Sequence, residues 1–100
     1  MEARAINNRA AACFVQDDGS VVVYSRRIGT PPIVGDLVRL VHPPASQGPM
    51  FDRFSGPLTV RSLEYTTFAL LPEDVKNDTI ALLRGMAPQP YAPYVKHVLA

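Results

Sequence analysis

A predicted β-hairpin near the amino terminus constrains the fold of this chain more than any other sequence feature. In AACFVQDDGSVVVYSRRI, residues 11–28, two β-rich runs flank Asp18-Gly19. Asp-Gly favours a two-residue type I′ turn, because both of its residues accept positive φ. Such a turn would pair Phe14 with Val23. A three-residue loop that also includes the preceding aspartate is the alternative, and it shifts the register by one residue.

The predicted hairpin is apolar on both faces near its turn. In the two-residue register, one face has Ala12, Phe14, Val21 and Val23, and the other has Cys13, Val15, Val22 and Tyr24. A hairpin with one face in solvent would alternate apolar and polar residues. This hairpin therefore needs cover on both sides, and we expect another subunit to cover one of them. The sequence thus predicts a homo-oligomer.

Three later segments complete an α+β pattern. Residues 37–42 form a β run that ends at two prolines, which cannot donate to a sheet. Residues 58–71, LTVRSLEYTTFALL, indicate one long strand or two strands with a bend. PEDVKNDTIALLRG predicts a helix over 72–84, with acidic residues at its start and Gly85 as its stop. Its predicted apolar stripe contains Val75, Thr79, Leu82, Leu83 and Met86.

These elements predict one small α+β domain, which suits a chain of 100 residues. We expect a strongly bent antiparallel sheet or open SH3-like barrel of about four or five strands, with one C-terminal helix. Residues 1–86 form that domain in this interpretation, and residues 87–100 form a Pro-rich C-terminal arm. The end of the arm favours a short helix, with Tyr91, Tyr94, Val95 and Val98 on one side.

The sequence contains no motif that indicates catalysis. His42 and His97 are the only histidines and Cys13 is the only cysteine, whereas metal sites usually need three or four ligands at characteristic spacing. Neither standard spacing of a glycine-rich phosphate loop occurs. We therefore expect no enzyme activity, no catalytic residues, no cofactor and no bound metal.

The compartment is predicted from the cysteine count and from hydropathy. A single cysteine cannot form an internal disulfide, so export to an oxidising compartment is not indicated. The N-terminal residues MEARAINNRAAACFV lack the apolar core of a signal peptide, and no apolar stretch approaches about 18 residues. We expect a soluble cytoplasmic protein that does not bind membranes.

Arginine and tyrosine residues on the predicted strands suggest a binding surface. The net charge of +1 is too low for a protein that holds nucleic acid mainly by bulk charge. Three β segments, however, each place an arginine among apolar or aromatic neighbours on one strand face. The candidate binding residues on these strands are Tyr24, Arg26, Arg39, Arg61 and Tyr65. If the three faces coincide, they form one Arg/Tyr surface, of a composition enriched at binding hot spots.

The long connection over residues 43–57 is a second candidate contact. It is rich in Pro, Gly and Ser, and loops of this length in compact domains are usually functional or disordered. Phe51, Arg53 and Phe54 argue against simple disorder and are candidate binding residues. The alternative is that the two phenylalanines plug the end of the barrel.

Taken together, these features predict a non-catalytic, intracellular binding protein that acts through protein–protein contacts. Regulators, adaptors and inhibitors, including those encoded by phages and mobile elements, have this size and lack catalytic residues. One alternative is a small nucleic-acid-binding β-barrel that stacks bases on the Arg/Tyr surface. Another is a small ligand-binding or enzymatic domain with a pocket at the barrel mouth.

Overall fold

The computed structural model describes residues 3–6, 12–41 and 56–100. Its strands are β1 (Arg4–Ile6), β2 (Ala12–Val15), β3 (Val21–Arg26), β4 (Leu37–Leu40), β5 (Leu58–Thr67) and β6 (Pro93–Leu99). A 3-10 turn (Phe68–Leu70) and one α-helix, α1 (Glu73–Leu82), lie between β5 and β6.

The six described strands form one strongly curled, half-barrel sheet in the order β1-β4-β5-β6-β3-β2. Neighbouring strands are antiparallel, except that β1 and β4 are parallel. The predicted α+β class with a strongly bent sheet is confirmed, with six described strands where four or five were expected. The helix is followed by the sixth strand, so it is not the last element of the chain.

The hairpin of β2 and β3 has the three-residue loop, and the predicted two-residue turn is wrong. The amide of Gln16 donates to the carbonyl of Ser20 at 2.8 Å, and Phe14 pairs with Val22. Gly19 takes a φ of +86°, which closes a three-residue loop with a left-handed third residue. The Asp18 carboxylate accepts from the Ser20 amide at 2.9 Å, which fixes this loop further.

The observed register changes which residues of β3 share a sheet face with each residue of β2. Ala12, Phe14, Val22 and Tyr24 now share the outer face of the sheet, and Cys13, Val15, Val21 and Val23 share its inner face. Residues of α1 and of the segment before it cover the outer face, and the curled sheet itself covers the inner face. The β3 side chains are buried on both faces within one chain, whereas Cys13, Phe14 and Val15 of β2 are half-buried, and the expected contact with a second subunit stays a prediction.

Two apolar clusters stabilise the sheet, one on each face. The inner cluster contains Ile6, Val21, Val23, Val38, Leu40, Leu58, Val60 and Leu99. The outer cluster contains Ala12, Val22, Tyr24, Phe68, Leu71, Val75, Ala92 and Tyr94. Burial of this apolar area is the main favourable contribution to folding, since a chain with one cysteine cannot form an internal disulfide.

Strand β6 replaces the predicted helix at the end of the chain. It pairs with β5 on one side and β3 on the other, so it lies inside the sheet. A central strand is covered on both faces and is therefore apolar on both. In β6, Tyr94 and Val98 pack in or against the outer cluster, while Leu99 belongs to the inner one. A short apolar run of this kind fits helical and strand spacing equally, and the strand pairing decides between them.

Helix α1 packs through its middle, not through its C-terminal turn. Val75 and Thr79 are buried, and the Thr79 hydroxyl donates to the Val75 carbonyl at 2.8 Å. The helix ends at Leu82, and Gly85 at a φ of +85° turns the chain away. Leu82 is 48% exposed, so the predicted apolar stripe is buried at Val75 and Thr79 but not at Leu82. No helix within the described ranges is long and apolar enough to span a bilayer.

Leu99 is buried and Leu82 is about half exposed, so their replacement by alanine should change stability by different amounts. Leu99 is 0% exposed in the inner cluster, so Leu99→Ala should lower the free energy of unfolding by about 2–5 kcal/mol. Leu82→Ala should lower it by less than about 1 kcal/mol, because much of that side chain is already in solvent. Urea unfolding followed by circular dichroism measures both, and equal losses would contradict the placement of α1.

Candidate functional site

A cavity of about 300 Å³ lies between β1, the end of β3, β6 and the loop that follows β3. We call it the arginine cavity, and its lining residues are Arg4, Ala5, Ile6, Ser25, Arg26, Arg27, Ile28, Thr30, Pro31, Pro32, Val95 and His97. Three of these described lining residues are arginines and none is acidic. The charged side chains among its described lining residues are therefore all positive, although the net charge of the chain is only +1.

The loop of residues 27–36, here called the apolar loop, is fixed to the sheet at several points. Arg4 Nη2 donates to the Thr30 carbonyl at 2.7 Å, and the Gly35 amide donates to the Val60 carbonyl at 2.9 Å. Pro31 and Pro32 are buried, and proline restricts φ without needing a donor partner. These contacts hold the loop in one conformation against β1, β5 and β6.

A tight turn ends the apolar loop and leads into β4. The Asp36 amide donates to the Ile33 carbonyl at 3.0 Å, and the Asp36 carboxylate accepts from the Ile33 amide at 3.0 Å. Gly35 has a φ of +93°, as the third residue of a type II turn requires. Because the turn is closed on itself, the side chains at its tip point away from the sheet and into solvent.

The apolar loop exposes three branched aliphatic side chains. Ile28 is 84% exposed, Ile33 is 56% exposed and Val34 is 60% exposed. Sequence reasoning assigned no contact to these residues and missed the surface that they form. The signal was present in TPPIVGD, where paired prolines and a Gly-Asp turn enclose an apolar pair.

His97 lies at the floor of the arginine cavity and is 1% exposed. Its Nε2 atom lies 3.0 Å from the Pro32 carbonyl, while its Nδ1 atom is buried and has no hydrogen-bond partner among the described residues. Burial lowers the pKa of His97, the bond to Pro32 opposes that shift, and the charge of Arg4 lowers the pKa further. The ring is therefore neutral near pH 7 and donates from Nε2 to Pro32, which leaves Nδ1 as an unused acceptor.

Arg27 and Tyr65 form a stacked pair near the cavity. The Arg27 guanidinium carbon lies 5.0 Å from the centre of the Tyr65 ring, within the range of a cation–π contact. Tyr65 pairs with Val95, and Val95 pairs with Ser25, which places the side chains of all three on the inner face. Tyr65 is 54% exposed, so it combines an arginine contact with an accessible ring face.

The two tyrosines of the predicted Arg/Tyr surface lie on opposite faces of the sheet. Tyr24 is buried in the outer cluster, with Phe14 edge-on at 6.5 Å between ring centres and Lys96 Nζ 5.8 Å from its ring centre. Tyr65 is on the inner face. The five predicted strand residues therefore do not form one continuous surface.

The three predicted arginines are all exposed, in separate places. Arg26 ends β3 and donates a hydrogen bond to the Tyr94 hydroxyl; burial raises the pKa of Tyr94, and Arg26 opposes that rise. Arg39 lies in β4, on the same face as the exposed Leu37. Arg61 lies at the bulge of β5 between Val60 and Ser62. The predicted loop residues Phe51, Arg53 and Phe54 lie outside the described residues.

No protein-family model, curated protein or solved structure matches this chain. Within the described part of the chain, no three His, Cys, Asp or Glu side chains are grouped so that they could hold a metal ion. The apolar loop and the arginine cavity are therefore the structural features from which a function can be proposed.

His97 should make the stability of the protein depend on pH below neutrality. Its folded pKa is lower than the ordinary value of 6.5, so the unfolded chain binds the proton more readily. The free energy of unfolding should be constant above about pH 6.5 and should fall as the pH falls through the folded pKa of His97. Urea unfolding between about pH 7 and pH 5, above the range where most carboxylates titrate, measures this change.

His97→Gln provides the test of that assignment, and His42→Gln is its matched control. The first variant should lose most of the pH dependence in this range, even if it lowers stability overall. The second should keep the dependence of the natural chain. A pH dependence that survives in His97→Gln would show that another group causes it.

Proposed function

We propose that this protein is a non-catalytic binding protein that acts on a protein partner through the apolar loop. The exposure of Ile28, Ile33 and Val34 on a loop that is fixed to the sheet is the observation that supports this proposal. Regulators, adaptors and inhibitors work by such contacts, so the proposal defines a mode of action and leaves the partner open.

Rigidity of the loop favours binding, because association costs less when the contact residues are already ordered. Immobilising a flexible side chain or loop segment at an interface costs about 0.5–1.5 kcal/mol for each side chain. In the apolar loop, bonds from Arg4, Gly35 and Asp36 supply that ordering before a partner arrives. When a partner covers the exposed apolar side chains of the loop, their burial then contributes to affinity.

The contact surface extends from the apolar loop onto β4. Leu37 and Val41 are exposed, and Arg39 lies between them on the same face by the two-residue period of a strand. Arginine is enriched at binding hot spots. We therefore keep Arg39, among the predicted strand residues, in the proposed contact. Arg61 lies outside that contact and serves as a control position.

Substitutions in the apolar loop should weaken the partner complex without unfolding the protein. Ile33→Ala and Val34→Ala remove exposed side chains, so the melting temperature should stay nearly unchanged. If the pair is a hot spot, the double variant should bind the partner at least about thirtyfold more weakly. The partner is first isolated by crosslinking in source cells and purified, and its affinity is then measured by isothermal titration calorimetry.

Leu82→Ala is the matched control, because Leu82 is an exposed aliphatic residue on α1. It should bind the partner like the natural chain. Arg39→Ala should weaken binding and Arg61→Ala should not. Unchanged affinity in the Ile33/Val34 double variant would contradict the proposed contact, and a large loss in Arg61→Ala would move it to the β5 bulge.

A second copy of the chain is a further partner that the sheet edge favours. Among the described strands, β2 lies at one end of the sheet, and its residues ACFV include no charge and no proline. Proteins usually protect a free sheet edge with charged residues or prolines, and β2 has neither. We propose that β2 pairs with β2 of a second copy, which would make the oligomer a continuous sheet.

Light scattering at micromolar concentration should therefore give the mass of a dimer. A monomeric mass would contradict the pairing of β2 edges and would leave the proposed role of the apolar loop unchanged.

Single-stranded nucleic acid is the second candidate partner, and the stacked Arg27–Tyr65 pair is the observation that favours it. Arginine and exposed aromatic rings together bind phosphates and stack bases. The net charge of +1 argues against a large phosphate-binding surface. Oligonucleotide binding that decreases steeply with salt and is lost in Tyr65→Ala would favour this candidate over a protein partner.

A further inference from the structure

We propose that the arginine cavity binds a small amphipathic carboxylate, with the carboxylate at Arg4 and Arg27 and the apolar part against Ile6 and Val95. The site includes Arg27 and Ile28 of the apolar loop but neither Ile33 nor Val34, and it does not depend on the proposed protein partner. The ligand can be a free acid or the C-terminal group of a peptide, since both present the same chemistry.

Charge at the mouth of the cavity supports an anionic ligand. Arg4 belongs to β1 and Arg27 follows β3, so the two arginines reach the cavity from different elements. Arg26 also lines the cavity, but its side chain bonds to the Tyr94 hydroxyl. The Arg4 and Arg27 side chains are exposed and no described lining residue is acidic, so neither has a carboxylate within the cavity. Guanidinium groups bind carboxylates by charge-assisted hydrogen bonds, which can be bidentate.

The inner wall of the cavity supports an apolar body for the ligand. Ile6, Val95 and the paired prolines that line it are buried, and they offer no side-chain donor or acceptor. A volume of about 300 Å³ is at the small end of the range for ligand sites, which indicates a short chain or a single ring. An inorganic anion would leave this apolar wall uncovered.

Polar groups at the floor add a further sign of a binding site. Ser25 and His97 line the cavity and are both buried. The Nδ1 atom of His97 has no partner among the described residues, although buried polar atoms are nearly always hydrogen-bonded. Because this Nδ1 is an acceptor, the amide N–H of a peptide ligand could complete its bonding, whereas a simple carboxylate such as hexanoate has no donor to offer it.

The test is a titration of the ¹⁵N-labelled full chain followed by two-dimensional NMR. Hexanoate should move the amide signals of cavity residues, such as Ser25 and His97, and the shifts should saturate below about 10 mM. Hexanamide is the matched neutral control and should cause no saturable shift in that range. Inorganic phosphate should bind more weakly than hexanoate, because it lacks the apolar part.

Variants of the two arginines complete the test. Arg27→Gln should weaken hexanoate binding by about tenfold or more, since a hydrogen bond to a charged group is lost. Arg4→Gln should do the same, although it also removes the bond to the Thr30 carbonyl, so Arg27→Gln is decisive. Arg84→Gln, at an exposed position after α1, is the matched control and should bind like the natural chain.

The two sources of carboxylate are separated by a second ligand, N-acetyl-alanyl-leucine. Tighter binding of this dipeptide than of hexanoate would identify a peptide C-terminus as the ligand, and tighter binding of hexanoate would identify a free acid. Three results would overturn the proposal: no saturable shift with either carboxylate, equal binding of hexanamide, or unchanged binding in Arg27→Gln.

Discussion

The insertion of β6 between β5 and β3 is the interaction on which the rest of the structure depends. This seven-residue strand pairs with both neighbours along most of its length, and it contributes side chains to both apolar clusters. Without it, β5 and β3 would be separate pieces, each with an unpaired edge. The last residues of the chain thus join the β2–β3 hairpin to the β1–β4–β5 half of the sheet.

The same strand positions the candidate site. His97 in β6 bonds to the Pro32 carbonyl, and the Arg27 amide donates to the Pro93 carbonyl at 3.0 Å. The apolar loop is therefore attached at its start and in its middle to the central strand β6. Loops that carry binding residues on a rigid scaffold are the usual arrangement in small binding domains. Here the scaffold also forms the floor of the arginine cavity, so loop and cavity are expected to keep a fixed geometry.

Local sequence signals predicted much of the secondary structure and less of its packing. The hairpin, the strand at 37–40, the long strand from Leu58 and the helix from Glu73 follow from turn residues, β-branched runs and an acidic helix start. The hairpin register was undecided because Asp-Asp-Gly fits both a two-residue and a three-residue loop. Helix spacing predicted a buried Leu82, but the helix packs through Val75 and Thr79, since contact with β2 and β3 covers only its middle.

The sequence by itself determined the class of the fold, the absence of a disulfide, the low net charge and the positions of most strands. Those properties depend on composition and on contacts between near neighbours in the chain. Only the tertiary structure decided that residues 93–99 form a central strand, that Tyr24 and Tyr65 face opposite ways, and that Arg4 and His97 share a cavity. Each of these depends on pairing between residues far apart in sequence, and a two-residue strand period assigns a side chain to a face only after its partner strand and any bulge are known.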